Sequence, residues 1–485
     1  MSSSKTIILG AGPAGMACAY TLADYGCPAT VIEKQNGCGG LCRTVNFQGY
    51  LFDIGGHRFL SRSPVINRLW QDVLGSEMLR VQRSSQIYYR KGYLRYPLTW
   101  DDVFREFGWI EIFLCAASYL QHRTLYGRDG VTLEDWFIRR FGQRLYQIFF
   151  RDYTEKIWGV SCRHLSSDWA EQRINGLTMT AAVKNTLLDG AQSFAKTLAN
   201  EFFYPKYGPG DFYRKLQDIA RPTSNFLFGT HVERIRHDGK QIMAVGIRAG
   251  SDSKIEDLES DYVFSSIPVT RLIQIMDPPP PVEVLSAAEK LRFRNFITVN
   301  MIFNKEDISP HQWIYVHSPG VRVGRIQNYK NWSLAMVADP RKTTLGVEYF
   351  CDGNDWLWRM SKENLIRYAI EELEKIGMVT REYFEDGFVV KEQDAYPIYD
   401  LKYKEYVRVI RNYLERFSNF QTMGRAGLFR YDNSDHALLT GICAARNYRA
   451  DGAFDIWAID PDKGHNVPMA IKCGLQDAVY SQAET

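Results

Sequence analysis

Short apolar runs and longer helical periods divide the chain into segments. Thr6-Ile-Ile-Leu9 is a continuous apolar run of the kind a fully buried strand shows. Gly10-Ala-Gly12-Pro-Ala-Gly15 follows, and the next apolar spacing predicts a helix from Ala14 to Tyr25. Gly26 stands where that helix should stop, because glycine accepts the left-handed conformation after a last turn. Ala29-Thr-Val-Ile32, closed by Glu33, predicts a second strand and completes a β-α-β unit. From about Trp100 to Asn200 the period is helical. Thr132-x-x-Asp135 resembles a capping box, and Leu133, Trp136, Phe137, Phe141, Leu145, Ile148 and Phe149 then fall on one stripe, read as a helix packed on its neighbours. Asn225 to Ile235 and Gln241 to Arg248 alternate as the strands of a hairpin around Asp238-Gly239. Tyr262 to Ser265 is a further buried-type strand. Pro278 to Pro281 form a stiff spacer and mark the sharpest boundary. Strands at Phe296–Phe303, Trp313–Val316 and Leu345–Phe350, a helix from Ser361 to Gly377, and glycine-rich turns with a final helix after Gln421 complete the pattern.

Composition narrows the classes. With 485 residues, 45% apolar and 24% charged, the chain suits two to four globular domains at about 150 residues each. Lys+Arg at 59 against Asp+Glu at 56 provides no global field for a polyanion, so no nucleic-acid partner is expected. Local arginine clusters can still hold a small anion. Nine scattered Cys suit a reducing compartment, and Cys38-x-x-x-Cys42 lacks a second pair at zinc spacing, so no metal is expected. The most apolar stretch, Trp109 to Leu120, carries Glu111 and falls short of the ~20 residues a bilayer span needs. It reads as a core helix or a surface-lying one. With no signal-peptide layout at the N-terminus, the expected location is the cytoplasm.

A lone GxGxxG says little; between a buried strand and a helix it gains meaning. Gly10 permits the tight turn, Gly12 lets backbone approach a pyrophosphate, and Gly15 lets helix pack on strand. The helix start at Pro13-Ala14 then offers unpaired N–H groups to phosphate. Glu33 is placed to accept hydrogen bonds from ribose hydroxyls. Two more glycine loops follow, Gly37-Cys-Gly39-Gly40-Leu-Cys-Arg43-Thr44 and Tyr50-Leu-Phe-Asp-Ile-Gly55-Gly56-His57-Arg58. Three such loops suit a long ligand approached by backbone at both ends, and no second GxGxxG marks a nicotinamide domain. The cofactor expected is FAD alone. The fold expected is α/β, a Rossmann-like FAD-binding domain of glutathione-reductase type (1–85, 200–276 and 418–485). A helical insertion (100–199) and an antiparallel-sheet substrate domain (86–99 and 282–417) complete it.

These N-terminal features resemble the amine-oxidase-like flavoprotein superfamily, which includes protoporphyrinogen oxidase, phytoene desaturase and UDP-galactopyranose mutase. Phe149-Phe-Arg-Asp-Tyr153-Thr-Glu-Lys156-Ile-Trp158-Gly159, with Trp169 and Arg173 beyond it, is similar to the substrate-binding helix region of the mutases. Arg325-Ile-Gln-Asn-Tyr-Lys-Asn-Trp332-Ser333 resembles the segment supplying a second diphosphate-binding arginine, and Tyr396-Pro397 the pair beside the diphosphate. Gly424-Arg425-Ala-Gly427, with Tyr431, Asn433 and Asp435-His436, is similar to the closing flavin motif. The matches recur in family order from residue 5 to about 445. Tyr204-Pro-Lys206-Tyr-Gly208-Pro-Gly210 departs from the family, standing where a Gly-Gly pair is usual, near the expected sugar side of the pocket.

The resemblance implies a pyranose–furanose mutase of UDP-galactopyranose type, in which N5 of reduced FAD attacks the anomeric carbon of a nucleotide-diphosphate sugar. It implies catalytic roles for His57, Arg173 and Arg325, the arginines suiting a departing diphosphate because their planar forks donate paired hydrogen bonds. It implies substrate contacts from Tyr153, Trp158, Trp169, Tyr396, Tyr431 and Asn433. Flavin contacts would come from Gly10, Gly12, Pro13, Ala14, Gly15, Glu33, Lys34, Gly40, Leu41, Gly55, Gly56, His57, Val232, Gly424, Arg425 and Asp435. The partners implied are a UDP-sugar and a reductant such as NAD(P)H or a reductase, with a homodimer left open. For each site residue a bland alternative stands beside the functional one. Arg173 beside Glu171 also fits a solvated helix face, Arg325 an edge-strand charge, Tyr153 and Trp158 core aromatics, and a lone His57 a packed residue. The alternative activity is a true oxidase or desaturase of the superfamily, and a non-catalytic flavoprotein of a polysaccharide pathway stands third.

Overall fold

The computed structural model describes residues 5–96, 98, 100–125, 131–173, 201–250, 253–450 and 453–459. Thr6–Leu9 and Ala29–Ile32 lie side by side in a five-stranded sheet. Its order is Phe420–Thr422, Tyr262–Ser265, Thr6–Leu9, Ala29–Ile32, Ser224–Leu227, and each pair is parallel. The first strand is buried along its whole length, which is why it reads as an unbroken apolar run. The helix Pro13–Asp24 covers it, and the late helix Ser434–Tyr448 lies on that helix so tightly that a Cβ on Gly441 would stand 2.1 Å from the Ala14 carbonyl oxygen.

The predicted hairpin is present, but its first strand is two strands. Gly229, at φ +61, turns the chain between them. Ser224–Leu227 joins the parallel sheet beside Ala29–Ile32, and Thr230–His237 pairs antiparallel with Ile242–Ala249. Alternation reports which residues face a core, not which strand lies alongside, so the two segments look like one in the sequence.

A second sheet has seven strands, in the order Phe384–Pro397, Phe293–Phe303, Thr343–Cys351, Arg325–Asn328, Trp313–Val316, Ser85–Tyr89, Gly92–Tyr96. Its pairs are antiparallel except Trp313–Val316 on Ser85–Tyr89. The helix Lys362–Lys375 packs on its outer face, capped by the Ser361 hydroxyl, which accepts from the Asn364 N–H at 3.3 Å.

The helical part lies between residues 100 and 173. Its capping box forms: Thr132 Oγ1 accepts from the Asp135 N–H at 3.1 Å, and Asp135 Oδ2 from the Thr132 N–H at 3.4 Å. The stripe predicted as one helix is broken. Leu133–Phe141 ends at Gly142 (φ +81), where a Cβ would come within 2.8 Å of the Tyr119 backbone, and a π-type turn at Tyr146–Phe150 leads into Arg151–Trp158. Close approach to the neighbouring helix Trp100–Leu125 thus outranks the periodic pattern. That helix kinks at Gly108 (φ +69) and is the surface-lying alternative: Trp109, Ile110 and Phe113 are 74%, 79% and 71% exposed. Among the described residues no helix is long and apolar enough to cross a membrane.

Gly441→Ala should push the two covering helices apart. Overpacking of this kind costs about 1–3 kcal/mol, so the thermal unfolding midpoint should fall by several degrees, read by circular dichroism.

Candidate functional site

One cavity of about 1260 Å³ runs between the glycine-rich edge of the parallel sheet and the face of the seven-stranded sheet. Its cofactor end is built from close backbone approaches. A Cβ on Gly15 would lie 1.9 Å from the Gly10 carbonyl oxygen, so only glycine lets the helix start against the turn. Gly15 therefore sits beneath the cavity. Gly10, Gly12, Pro13 and Ala14 border it, and a Cβ on Gly12 would meet no atom within 4 Å. The second loop closes on the first: the Gly39 N–H donates to the Ala11 oxygen at 2.8 Å, and Gly40 (φ +53) stands against Gly12. Glu33 Oε2 accepts from the Ala11 N–H and Oε1 from the Gln35 N–H, both at 2.8 Å. The carboxylate therefore ties the loop to the second strand, and each oxygen keeps a lone pair for a ribose hydroxyl. Lys34, Leu41, Val232, Gly424, Arg425 and Asp435 border the same cavity. Gly424 has φ +75, and a Cβ there would come 2.8 Å from that of Ala14. An elongated cradle without intruding side chains, opening at a helix N-terminus, fits FAD.

The third loop forms the junction with the sheet. Gly55 has φ +86 and stands against Glu348, and a Cβ on Gly56 would lie 2.2 Å from the Trp313 ring. His57 Nδ1 is 3.3 Å from the Gly55 oxygen. Desolvation in the cavity, with repulsion from Arg425 and then Arg325, lowers the His57 pKa to about 3. Its imidazole is neutral across the physiological range.

Strand register assembles the opposite wall. Tyr315, Arg325 and Glu348 lie directly across from one another on three neighbouring strands. Arg325 donates from Nε to Glu348 and from Nη2 to the Tyr396 hydroxyl at 3.2 Å. Glu348 is fully buried and also accepts from Gln327. Burial opposes the charge on Arg325, and Glu348 with the nearby tyrosines outweighs it, so its pKa is raised. Arg325 is neither an exposed edge-strand charge nor a lone cation, but half of a buried pair. Tyr396 and Tyr431 stack at 5.7 Å, and the Arg425 guanidinium lies 5.3 and 5.2 Å from their rings while donating from Nε to the Asp432 oxygen at 2.7 Å. Trp158 packs edge-on against Trp169 and Tyr431, and Tyr153 stacks on His317 at 4.1 Å. Asn433 starts the last helix, and Asp435 pairs with His436 Nδ1 at 3.0 Å.

Thus Tyr153, Trp158, Trp169, Arg325, Tyr396, Tyr431 and Asn433 border the cavity that also holds the flavin-side residues. Arg173 ends the helix Asp168–Arg173, and its side chain lies outside the described residues. The Tyr204–Gly210 stretch does not border the cavity and stands behind the loops. Tyr204 donates to Asp53, the Gly210 N–H donates to Thr44 Oγ1 at 3.0 Å, and Gly208 packs on Thr44. Glu348, Trp313, Tyr315 and His317 were not anticipated as site residues. The alternation in Trp313-Ile-Tyr315-Val-His317 does signal a shared face. Lys156 also serves the site: its Nζ donates to the oxygens of Val316, Ser318 and Val323 at 2.9, 2.7 and 3.3 Å, fixing the Tyr153 helix to the sheet.

The chain belongs to the flavin containing amine oxidoreductase family, whose model matches residues 13–417. A zeta-carotene-forming phytoene desaturase from Myxococcus xanthus is 25% identical over 60% of this chain, and the match spans 58% of that relative's length. Among solved structures, reduced UDP-galactopyranose mutase superposes with a TM-score of 0.80 at 19% identity, covering 96% of this chain and 97% of that one. Cyclohexylamine oxidase from Brevibacterium oxydans IH-35A gives 0.62 at 15% identity, covering 92% and 100%.

Arg325→Met should destabilise the protein by about 3–5 kcal/mol, because Glu348 is left buried and unpaired. Adding Glu348→Gln should restore most of that loss in urea unfolding. In flavin-stripped protein, the His57 ring should stay neutral in NMR titration down to about pH 4, whereas an exposed histidine titrates near 6.5.

Proposed function

We propose that this chain is an FAD-dependent pyranose–furanose mutase of a nucleotide-diphosphate sugar, of the UDP-galactopyranose type. The observation that carries the reading is the polar wall of Arg325, Tyr396 and Tyr431, with Arg425 behind it, in the cavity the glycine cradle opens into. Bound and reduced, FAD supplies the nucleophilic N5 that an isomerisation without net oxidation requires. The chain supplies position and charge. Arg325, its fork oriented by Glu348, and the two tyrosine hydroxyls donate hydrogen bonds to the departing diphosphate, with Arg173 as the second arginine of the set. Tyr153, Trp158 and Trp169 wall the base or sugar. His57, being neutral, offers hydrogen bonding without a charge. The reading brings with it a cytoplasmic setting and a reductant such as NAD(P)H or a reductase.

The desaturase match favours a second reading, oxidation of an apolar substrate against Phe149, Phe150, Phe296 and Phe350, which also border the cavity.

Dithionite-reduced enzyme incubated with UDP-galactopyranose and a panel of nucleotide sugars should yield a furanose product, separable by chromatography. No furanose from any of them, with oxygen consumed on an amine or polyene, would replace the first reading by the second. Furanose formation per bound flavin should slow at least tenfold in Tyr396→Phe/Tyr431→Phe, a rise of about 1.4 kcal/mol in the barrier.

A further inference from the structure

The arginines bordering the cavity differ in one respect. Arg43 is paired with Glu392, Arg271 with Glu233, Arg325 with Glu348, and Arg425 with a backbone oxygen. Arg58, next to His57, has no carboxylate partner among the described residues. Its guanidinium lies 5.0, 5.0 and 5.7 Å from the rings of Phe202, Trp313 and Trp332. One donor reaches the Ser85 hydroxyl at 3.1 Å, and its buried Nε has no acceptor. Arg83 stands nearby in a similar state: its guanidinium is 4.9 Å from the Tyr96 ring, its buried Nε lacks an acceptor, and no carboxylate among the described residues pairs with it. Aromatic faces stabilise a buried cation, but they accept no N–H hydrogen bond in the guanidinium plane and so leave its unmet donors without a partner. Arg58 borders the cavity and Arg83 repels it from close by, so two like charges create an unmet demand for an anion at this end.

Trp313 connects this end to the diphosphate wall, since the Arg325 guanidinium lies 5.4 Å from the same indole. A substrate whose diphosphate occupies Arg325 and whose sugar reaches the His57 loop brings the far end of that sugar toward Arg58. We infer that Arg58, supported by Arg83, is a second anion subsite of this cavity, and that the sugar carries a carboxylate, as a hexuronic acid does. The inference rests on the nucleotide-sugar reading. Arg suits a carboxylate because both can meet through two parallel hydrogen bonds. A neutral hexose would leave those donors unpaired.

The oxidised holoenzyme can be titrated with UDP, UDP-glucose and UDP-glucuronate, following the flavin absorbance. UDP-glucuronate should bind about tenfold more tightly than UDP-glucose, equivalent to 1.4 kcal/mol. Arg58→Gln should bring that ratio close to one, and Arg58→Lys should keep part of it. Arg83→Gln, further from the ligand, should lower the ratio and serves if Arg58→Gln fails to retain flavin. Binding of UDP with no preference between the two sugars, or a preference unchanged in both glutamine variants, overturns this inference and leaves the mutase reading standing. No spectral response to UDP itself overturns the mutase reading, and this inference with it.

Discussion

A carboxylate with no exposed surface, Glu348, holds the two halves of the cavity in register. It takes Arg325 from the neighbouring strand, Gln327 from the same strand as Arg325, and the backbone N–H of Gly56 from the third glycine loop. Gly55 has no Cβ, and that absence lets the loop come so near. In a dry environment a fully bonded carboxylate fixes its partners firmly, and losing one of them is costly. Glu348 therefore ties the dinucleotide cradle to the sheet wall at its centre, and the Arg43–Glu392 pair ties them again at the edge strand Phe384–Pro397.

The aromatic residues extend this order outward. Tyr396 and Tyr431 come from separate parts of the chain and are brought together under Arg425, which is itself fixed by the Asp432 oxygen. Trp158 and Trp169 fill the space beside Tyr431, and Lys156 fastens the Trp158 helix to the sheet through three carbonyl oxygens. These residues pack on one another and border the cavity as well. Tyr153 is a ring stacked on His317 and also a cavity wall.

The local devices could be read in the sequence because they depend on neighbours along the chain. The β-α-β unit, the three glycine loops, the Thr132 capping box and the Ser361 helix start are of this kind. What depended on pairing across space could not be read. Glu348 lies inside a run that reads only as a buried strand, and nothing in Leu345–Phe350 says that Arg325 stands opposite. The stretch from Asn225 shows one alternation, yet serves two sheets, because periodicity carries no information on partners. The helix predicted through Phe149 breaks at Gly142, where the adjacent helix passes too close for a side chain. Arg58 was visible as a letter after His57, but that no carboxylate among the described residues faces it is a fact about surroundings.

Within the dinucleotide sheet the central strand, Thr6–Leu9, precedes the others, and two of them lie far along the chain. Thr6–Leu9 needs Tyr262–Ser265 on one side, and the helix that follows it needs Ser434–Tyr448 against its back. A chain leaving the ribosome therefore presents a greasy first strand and helix long before their covering partners exist. Pairings so distant along the chain form slowly and leave incomplete cores exposed meanwhile. The cradle that Gly10–Gly15 begins is therefore complete only once Ser434–Tyr448 has been made, and removing that helix would uncover the back of Pro13–Asp24.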